Sequence, residues 1–425
     1  MNNFEHLNER RVLGGLMELG DEAYFELDWD VKYFDNTSNR QIMELILGQI
    51  DLGLPYDRFT VGVQAQRVFS NSLYYDILGC WEDKAFTLLD LKFWHELVVE
   101  GWMKRERELQ AKIILDNPEK AAEAIQAIAD LQSVAVANVL RTVQEDYPEH
   151  LQVREDGVAL IPTGEPSIDK LLGGGWRAGI YGVAGRPKQG KSMVMLHFAR
   201  KLAEQGRNVL FVSYEMDKHQ VYDRLQAAVF GIDSNLIAKN ELDSDNEFDH
   251  VWNKDKVRFG ESSMPKNLVV VNPVDRDVND LHRLIVRTKQ KLGGLDAVFV
   301  DYAQIMTLPK HGGSEAEMHA QLSSRLQQMA MKVAMPVITG LQLRKPETLN
   351  DKKVPGTNDI AGSDKYARDV VGILYIVRSI REGDDPMGIG SELMLKLGTS
   401  RFTPDGVARF IAEDKFSRIV HKEWR

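Results

Sequence analysis

The sequence predicts a mostly parallel α/β unit preceded by a small all-helical one, and three observations carry that reading. Residues 1 to 115 repeat their apolar positions at the period of a helix. From Ile161 onward, short β-branched runs alternate with helical stretches, the pattern of strands covered on both faces. Between the first run, Ile180 to Ala184, and the helical stretch behind it stands GRPKQGKS, Gly185 to Ser192, a Gly-rich turn joining buried strand to helix.

The helical unit comes first. Val12, Leu13, Leu16 and Leu19 fall on one helix face, and Ile42, Leu45, Ile46 and Ile50 repeat the spacing. Residues 116–160 read as a connector. PEKAAEAIQAIADLQSVAVANV, Pro118 to Val139, is Ala-rich with Ile125, Ile128 and Leu131 about a turn apart, a helix suited to lie against a partner. RTVQEDYPEHLQVREDG behind it is charged and aperiodic, a tether. Residues 161–425 form the α/β domain, whose further runs are Val209 to Tyr214, Leu268 to Val271, Ala297 to Val300, Pro336 to Gly340 and Gly372 to Val377. Glu392 to Leu397 and Val407 to Ala412 flank RFTPDG and predict an antiparallel hairpin at the sheet edge.

With 425 residues the chain exceeds the size at which one core keeps growing, so two domains are expected. Its single cysteine, Cys80 in LGCW, reads as a small buried hydrophobe and excludes a disulfide scaffold. The N-terminus MNNFEHLNERR carries charges where a signal peptide needs an apolar core, and no window offers about 18 uninterrupted apolar residues. The expectation is a cytosolic, soluble protein without membrane association. A net charge of -10 excludes a surface coated in cations for gripping duplex DNA, while leaving room for a few Lys and Arg on an inner face.

GRPKQGKS satisfies G-x-x-x-x-G-K-[ST] at every fixed position. Its glycines let the backbone curl so that successive N–H groups face phosphates, which makes Gly185, Arg186, Pro187, Lys188, Gln189 and Gly190 a nucleotide cradle. The helix behind adds a favourable dipole. Lys191 then reaches the β- and γ-phosphates of ATP, and the Ser192 hydroxyl is placed to ligate Mg²⁺. A metal-supporting carboxylate belongs at the end of a neighbouring buried strand, and LDAVFVDY supplies Asp301 there. Asp296, at the other end of that run, reads as a turn cap. NVLFVSYEM places Glu215 where a carboxylate can activate water, and VITGLQLRK offers Gln342 as a γ-phosphate sensor.

Together these motifs resemble the replicative hexameric DNA helicases of the DnaB type, phage relatives included. IPTGEPSIDKLLGGGWRAG is similar to that family's entry segment, FVSYEM to its glutamate strand, and FVDYAQIM to its second acidic motif. VITGLQLRK resembles its sensor strand, SRFTPDGVARF its arginine-finger hairpin, and NERRVLGGLM the opening helix of its N-terminal domain. The resemblance implies a RecA-like ATPase core, with Arg401 as the finger reaching a neighbouring subunit's site. Two positions depart from the pattern. Thr399 stands where many members carry a lysine, and Lys365 where the family more often shows an acid.

The resemblance also implies that the loops after the second acidic strand and the sensor strand hold single-stranded DNA. Their cations are Lys310 and His311 in one, and Arg344, Lys345, Lys352 and Lys353 in the other. The expected protein is a homo-oligomeric ring, of six subunits in this family, with a primase and a helicase loader as partners. The alternative class is a RecA-like recombinase or regulatory assembly ATPase without unwinding activity, for which the helical N-terminal unit and linking helix are the discriminating features.

Overall fold

In the computed structural model the described residues are 3–69, 71–121, 123–125, 127–128, 143–144, 147–148, 151, 160–242, 254–308, 314–344, 355–361, 365–378 and 391–421. The chain divides into two compact units, Met1–Val158 and Ala159–Arg425.

The first unit is built from α1 (Asn3–Leu19), α2 (Asp21–Glu26), α3 (Thr37–Asp51), α4 (Arg58–Val68), α5 (Asn71–Glu82) and α6 (Leu88–Asp116). Helix starts are written locally: Asn36, Asp57 and Thr87 each accept, through the side chain, a backbone N–H from the first turn they precede. Val12, Leu13, Leu16, Ile42, Ile46 and Ile50 are buried in one core, with Leu19 and Leu45 packed at its margin. Cys80 lies in the same core, and burial pushes its thiol up to about 12, which leaves it unreactive at neutral pH. The α1 and α5 backbones meet at Gly14, where an added Cβ would stand 2.0 Å from the Cys80 carbonyl oxygen, so only glycine permits that approach. Most of the Ala-rich segment, including Leu131, lies outside the described residues.

The second unit is a nine-stranded sheet. Its strands are β1 (Gly179–Gly185), β2 (Val209–Ser213), β3 (Leu268–Val271), β4 (Ala297–Asp301), β5 (Pro336–Gln342), β6 (Gly372–Arg378), β7 (Ser391–Gly398), β8 (Gly406–Glu413) and β9 (Arg418–His421), in the order β3-β2-β4-β5-β1-β6-β7-β8-β9. The first six pair in parallel and the last three antiparallel. Burial explains the two sequence patterns. Every residue of β1, β2 and β4 is buried, so those strands read as continuous apolar runs. In β8 buried and more open positions alternate, as in an antiparallel strand with one face toward the core. The expected hairpin is β7–β8, and β9 extends it by a strand that four residues of RIVH give little sign of.

Among the helices of the unit are α7 (Pro166–Leu172), α8 (Lys191–Glu204), α9 (Lys218–Phe230), α10 (Ser234–Ala238), α11 (Val278–Leu292), α12 (Glu315–Lys332) and α13 (Lys365–Asp369). α8 and α12 both contact β1, the strand between β5 and β6. No helix among the described residues is long and apolar enough to cross a membrane.

His282 on α11 is buried, and that burial, with Lys332 of α12 and Arg283 nearby, pushes its pKa down to about 4. The unfolded chain therefore takes up a proton that the folded chain resists. Its contribution to stability is complete above the ordinary histidine value of about 6.5 and is lost as pH falls toward 4. Between pH 7 and pH 5 the loss is about 2 kcal/mol. Thermal melting of the parent and of His282→Gln checks this: the variant should show the shallower pH dependence, and equal slopes would remove the assignment.

Candidate active site

Parallel strands bring their C-terminal ends to one edge of a sheet, and here that edge collects the motif residues. Gly185 pairs in register with Gln342 across β1 and β5, and Ser213 with Asp301 across β2 and β4. The turn after β1, the Glu215 that follows β2, and the ends of β4 and β5 therefore converge. Gly185, Arg186, Pro187, Lys188, Gly190, Lys191, Ser192, Glu215 and Gln342 line one cavity of about 630 Å³.

The Gly-rich turn is held open by its own chain. Lys188 and Gly190 take positive φ, 64° and 91°, and the Arg186 N–H donates to Gln189 Oε1 at 3.1 Å. Gln189 Nε2 donates in turn to the Arg378 carbonyl at 3.3 Å, tying the turn to the end of β6. The Lys191 stem crosses β5 at Gly340, where a side chain would press on it and on Tyr302 at 3.0–3.1 Å, and its ammonium lies 4.0 Å from the Tyr302 ring centroid. Burial pulls the Lys191 pKa below the ordinary lysine value, against the Asp301 and Glu215 carboxylates, which favour its charge.

Asp301 is fully buried at the end of β4, and neither carboxylate oxygen has a hydrogen-bond partner of normal geometry. Burial raises its pKa, while Lys191, the adjacent Ser192 hydroxyl and Arg224 oppose the rise. Two orphaned oxygens beside a hydroxyl form a hard donor set of the kind Mg²⁺ takes, so these residues fit the ion. Glu215 is exposed and lines the cavity, so its carboxylate is open to water there. The Gln342 backbone N–H donates to Gln304 Oε1 at 2.7 Å, and the Ala361 N–H donates to the Gln342 carbonyl at 2.9 Å, so Gln342 is linked to the segment leading toward α13. Asp296 accepts the Asn208 N–H at 2.7 Å, a bond to the residue before β2 rather than to its own turn.

The same cavity has a second wall that no motif announced: Arg224, Ser234 and Asn235 from α9 and α10, with Asp414 and Ser417 from the β8–β9 turn. Behind it, the buried Arg378 guanidinium donates to Asp414 Oδ1 at 2.9 Å and, through Nε, to Ser391 Oγ at 2.6 Å. These residues share no short-range pattern, so only the packing of distant segments assembles them.

Arg401 stands apart from this cavity. It is exposed in the β7–β8 connection, its backbone N–H donates to the Val371 carbonyl at 3.0 Å, and Nη2 donates to the Arg368 carbonyl at 2.7 Å. Of the loop cations, Arg344 is exposed, with its N–H on the Asp359 carbonyl at 2.7 Å. Lys310, His311, Lys345, Lys352 and Lys353 lie outside the described residues. Thr399, in place of the lysine, adopts φ 57° at the exposed hairpin tip, and Lys365, on α13, donates to Ser324 Oγ.

The family model of the DnaB-like helicase C terminal domain matches residues 160–419. The replicative DNA helicase DnaB of Haemophilus influenzae is 26% identical over 314 residues, 72% of this chain and 66% of that protein. The chain thus matches just under two thirds of that relative's length. The DnaB of Geobacillus stearothermophilus is 24% identical over 414 residues, 92% of this chain and 88% of its own. A solved DnaB-like replicative helicase, described with its interactions with primase, aligns at a TM-score of 0.58 and 21% identity over 98% of this chain and 100% of that one. A second solved structure, an isolated ATPase domain, aligns at 0.57 and 23% identity, covering 66% of this chain and 99% of its own.

Proposed function

The chain belongs to the family of DnaB-like helicases, and on that premise we propose that it is an ATP-dependent replicative DNA helicase whose subunits form a ring, six in number, around one DNA strand. One observation carries the shared-site part of this reading. Lys191, Ser192, Asp301 and Glu215 gather at one sheet edge, while Arg401 is fastened to its own β6 entry and lines none of their cavity. An arginine so placed has its work in the site of another copy.

Within each site the Gly185–Ser192 turn holds the triphosphate of ATP, and Lys191 lends its ammonium to the β- and γ-phosphates. Ser192 and Asp301 would hold Mg²⁺, which supplies charge neutralisation between the phosphates when bound. Glu215 orients and deprotonates the attacking water, and Gln342 registers the γ-phosphate through its amide. Arg401 of the adjacent copy stabilises the charge that develops on the transferred group. Because Gln342 and Asp301 each precede a cation-bearing loop, loss of the γ-phosphate moves the segments that grip DNA. Those loops, through Lys310, His311, Arg344, Lys345, Lys352 and Lys353, track the backbone and leave base edges unread, as movement over any sequence demands. A primase and a loader are the partners such a motor meets in the cytosol.

Strand separation is the direct test. Given a forked duplex with a labelled strand, the protein should release that strand with ATP and Mg²⁺ and not with a non-hydrolysable analogue. ATP turnover without strand release would favour the recombinase or regulatory ATPase reading.

A further inference from the structure

Thr357, Asn358, Arg368, Thr399 and Arg401 line a second cavity, of about 500 Å³, which shares no residue with the nucleotide cavity. Its chemistry is one-sided. Two guanidinium groups, two hydroxyls and an amide face it, and among the described residues its lining holds no carboxylate. The neighbouring acid is engaged elsewhere: Asp369 accepts the Ser323 hydroxyl at 2.7 Å. Arg401 spends part of its fork on backbone, donating through Nη2 to the Arg368 carbonyl. The Arg368 guanidinium is exposed and meets no acceptor among the described residues, so its whole fork is available. Two arginines lining one cavity whose described wall carries no carboxylate offer an anion planar, bidentate donors from both.

We propose that Arg368 acts with Arg401 as a second guanidinium on the transferring phosphate of the adjacent subunit's ATP. This rests on the shared-site reading of Arg401. The division of labour follows from the bonds. The Arg401 main chain and side chain are pinned to residues 368 and 371, which fixes its position, and Arg368, carried on α13, closes on the same anion with its free fork. Oxygen atoms left after Arg401 has paired then find a second planar donor, and charge spread over the equatorial oxygens is met from two directions.

The experiment uses the full chain assembled with single-stranded DNA, comparing Arg368→Ala, Arg368→Gln, Arg368→Lys and Arg401→Ala. Phosphate release and the trapping of a fluorescent ADP analogue by aluminium fluoride are read side by side. Both neutral variants at Arg368 should lose at least about tenfold in kcat with KM for ATP little changed, and should lose fluoride trapping, with Arg368→Lys recovering part of each. Mixed with Glu215→Gln subunits, Arg368→Ala subunits should regain turnover above either parent. If the Arg368 variants keep kcat and trapping while Arg401→Ala loses both, this inference falls and the shared site stands. Full activity in Arg401→Ala would instead remove the shared site itself. Weakened DNA binding with trapping intact would assign Arg368 to the nucleic acid and overturn the proposal.

Discussion

Replacing Lys191 with alanine is expected to lower ATP turnover by on the order of 10³-fold or more, with strand separation lost alongside it. The side chain is half-buried, runs over Gly340 and presents its ammonium beside Asp301 and Glu215. Truncation therefore does two things. It withdraws the cation that meets the β- and γ-phosphates, and it removes the largest influence opposing the burial-raised pKa of Asp301, so the carboxylate is driven further toward its neutral form. Lys191→Arg should not restore turnover, because a planar fork is bulkier than an ammonium where the stem already lies so close to Gly340 that an added Cβ would stand 3.1 Å from it. Phosphate release at saturating ATP and single-stranded DNA gives the measurement, with a circular dichroism melt to show that the variant is folded. Turnover within about tenfold of the parent would mean that another group meets the phosphates.

Arg401→Ala is expected to cost roughly 10³ to 10⁵ in turnover when every subunit carries it, the range over which arginine fingers act. The loss should come without a change in the subunit's own nucleotide affinity, since Arg401 does not line the cavity that holds Lys191, Ser192 and Glu215. Rings that mix Arg401→Ala with Glu215→Gln subunits carry the decisive signal. Where a Glu215→Gln copy donates its intact Arg401 to an Arg401→Ala copy that has kept Glu215, a complete site is regenerated. Partial recovery in those rings, and none when both changes sit in one chain mixed with itself, is the expected pattern. A flat mixing curve would instead place the finger in its own subunit's site, against the separation that the hydrogen bonds to residues 368 and 371 impose.

Much of this site was legible because its signals are local. A strand buried on both faces must be apolar throughout, so Ala297 to Val300 announced β4, and the first charged residue after it, Asp301, marked the strand end. The same logic found Glu215 after β2 and Gln342 at the end of β5. The turn glycines and Lys191-Ser192 stand at the fixed spacing of a phosphate-holding loop, the role proposed for them, because one short backbone segment would have to wrap one phosphate group. Arg224, Ser234, Asn235, Asp414 and Ser417 carry no such signal, because an arginine in mid-helix and polar residues at a helix start or in a turn are ordinary in composition. Nothing in the sequence around Asp414 says that it will face Arg378 or the nucleotide cavity.

By itself, then, the sequence determined most of the elements, the parallel core, the Gly-rich turn after β1 and the carboxylates at the strand ends, all of which follow from backbone geometry and burial over a few residues. The tertiary structure alone decided which distant groups share a cavity. It put Asp414 and Ser417 against the turn after β1, set Arg368 beside Arg401 and kept both away from their own nucleotide site. The physical reason is range. Periodicity and turn chemistry act between near neighbours in the chain, whereas the meeting of α13 with the β7–β8 connection is fixed by hydrogen bonds between residues far apart in sequence, from Arg401 to the carbonyls of residues 368 and 371.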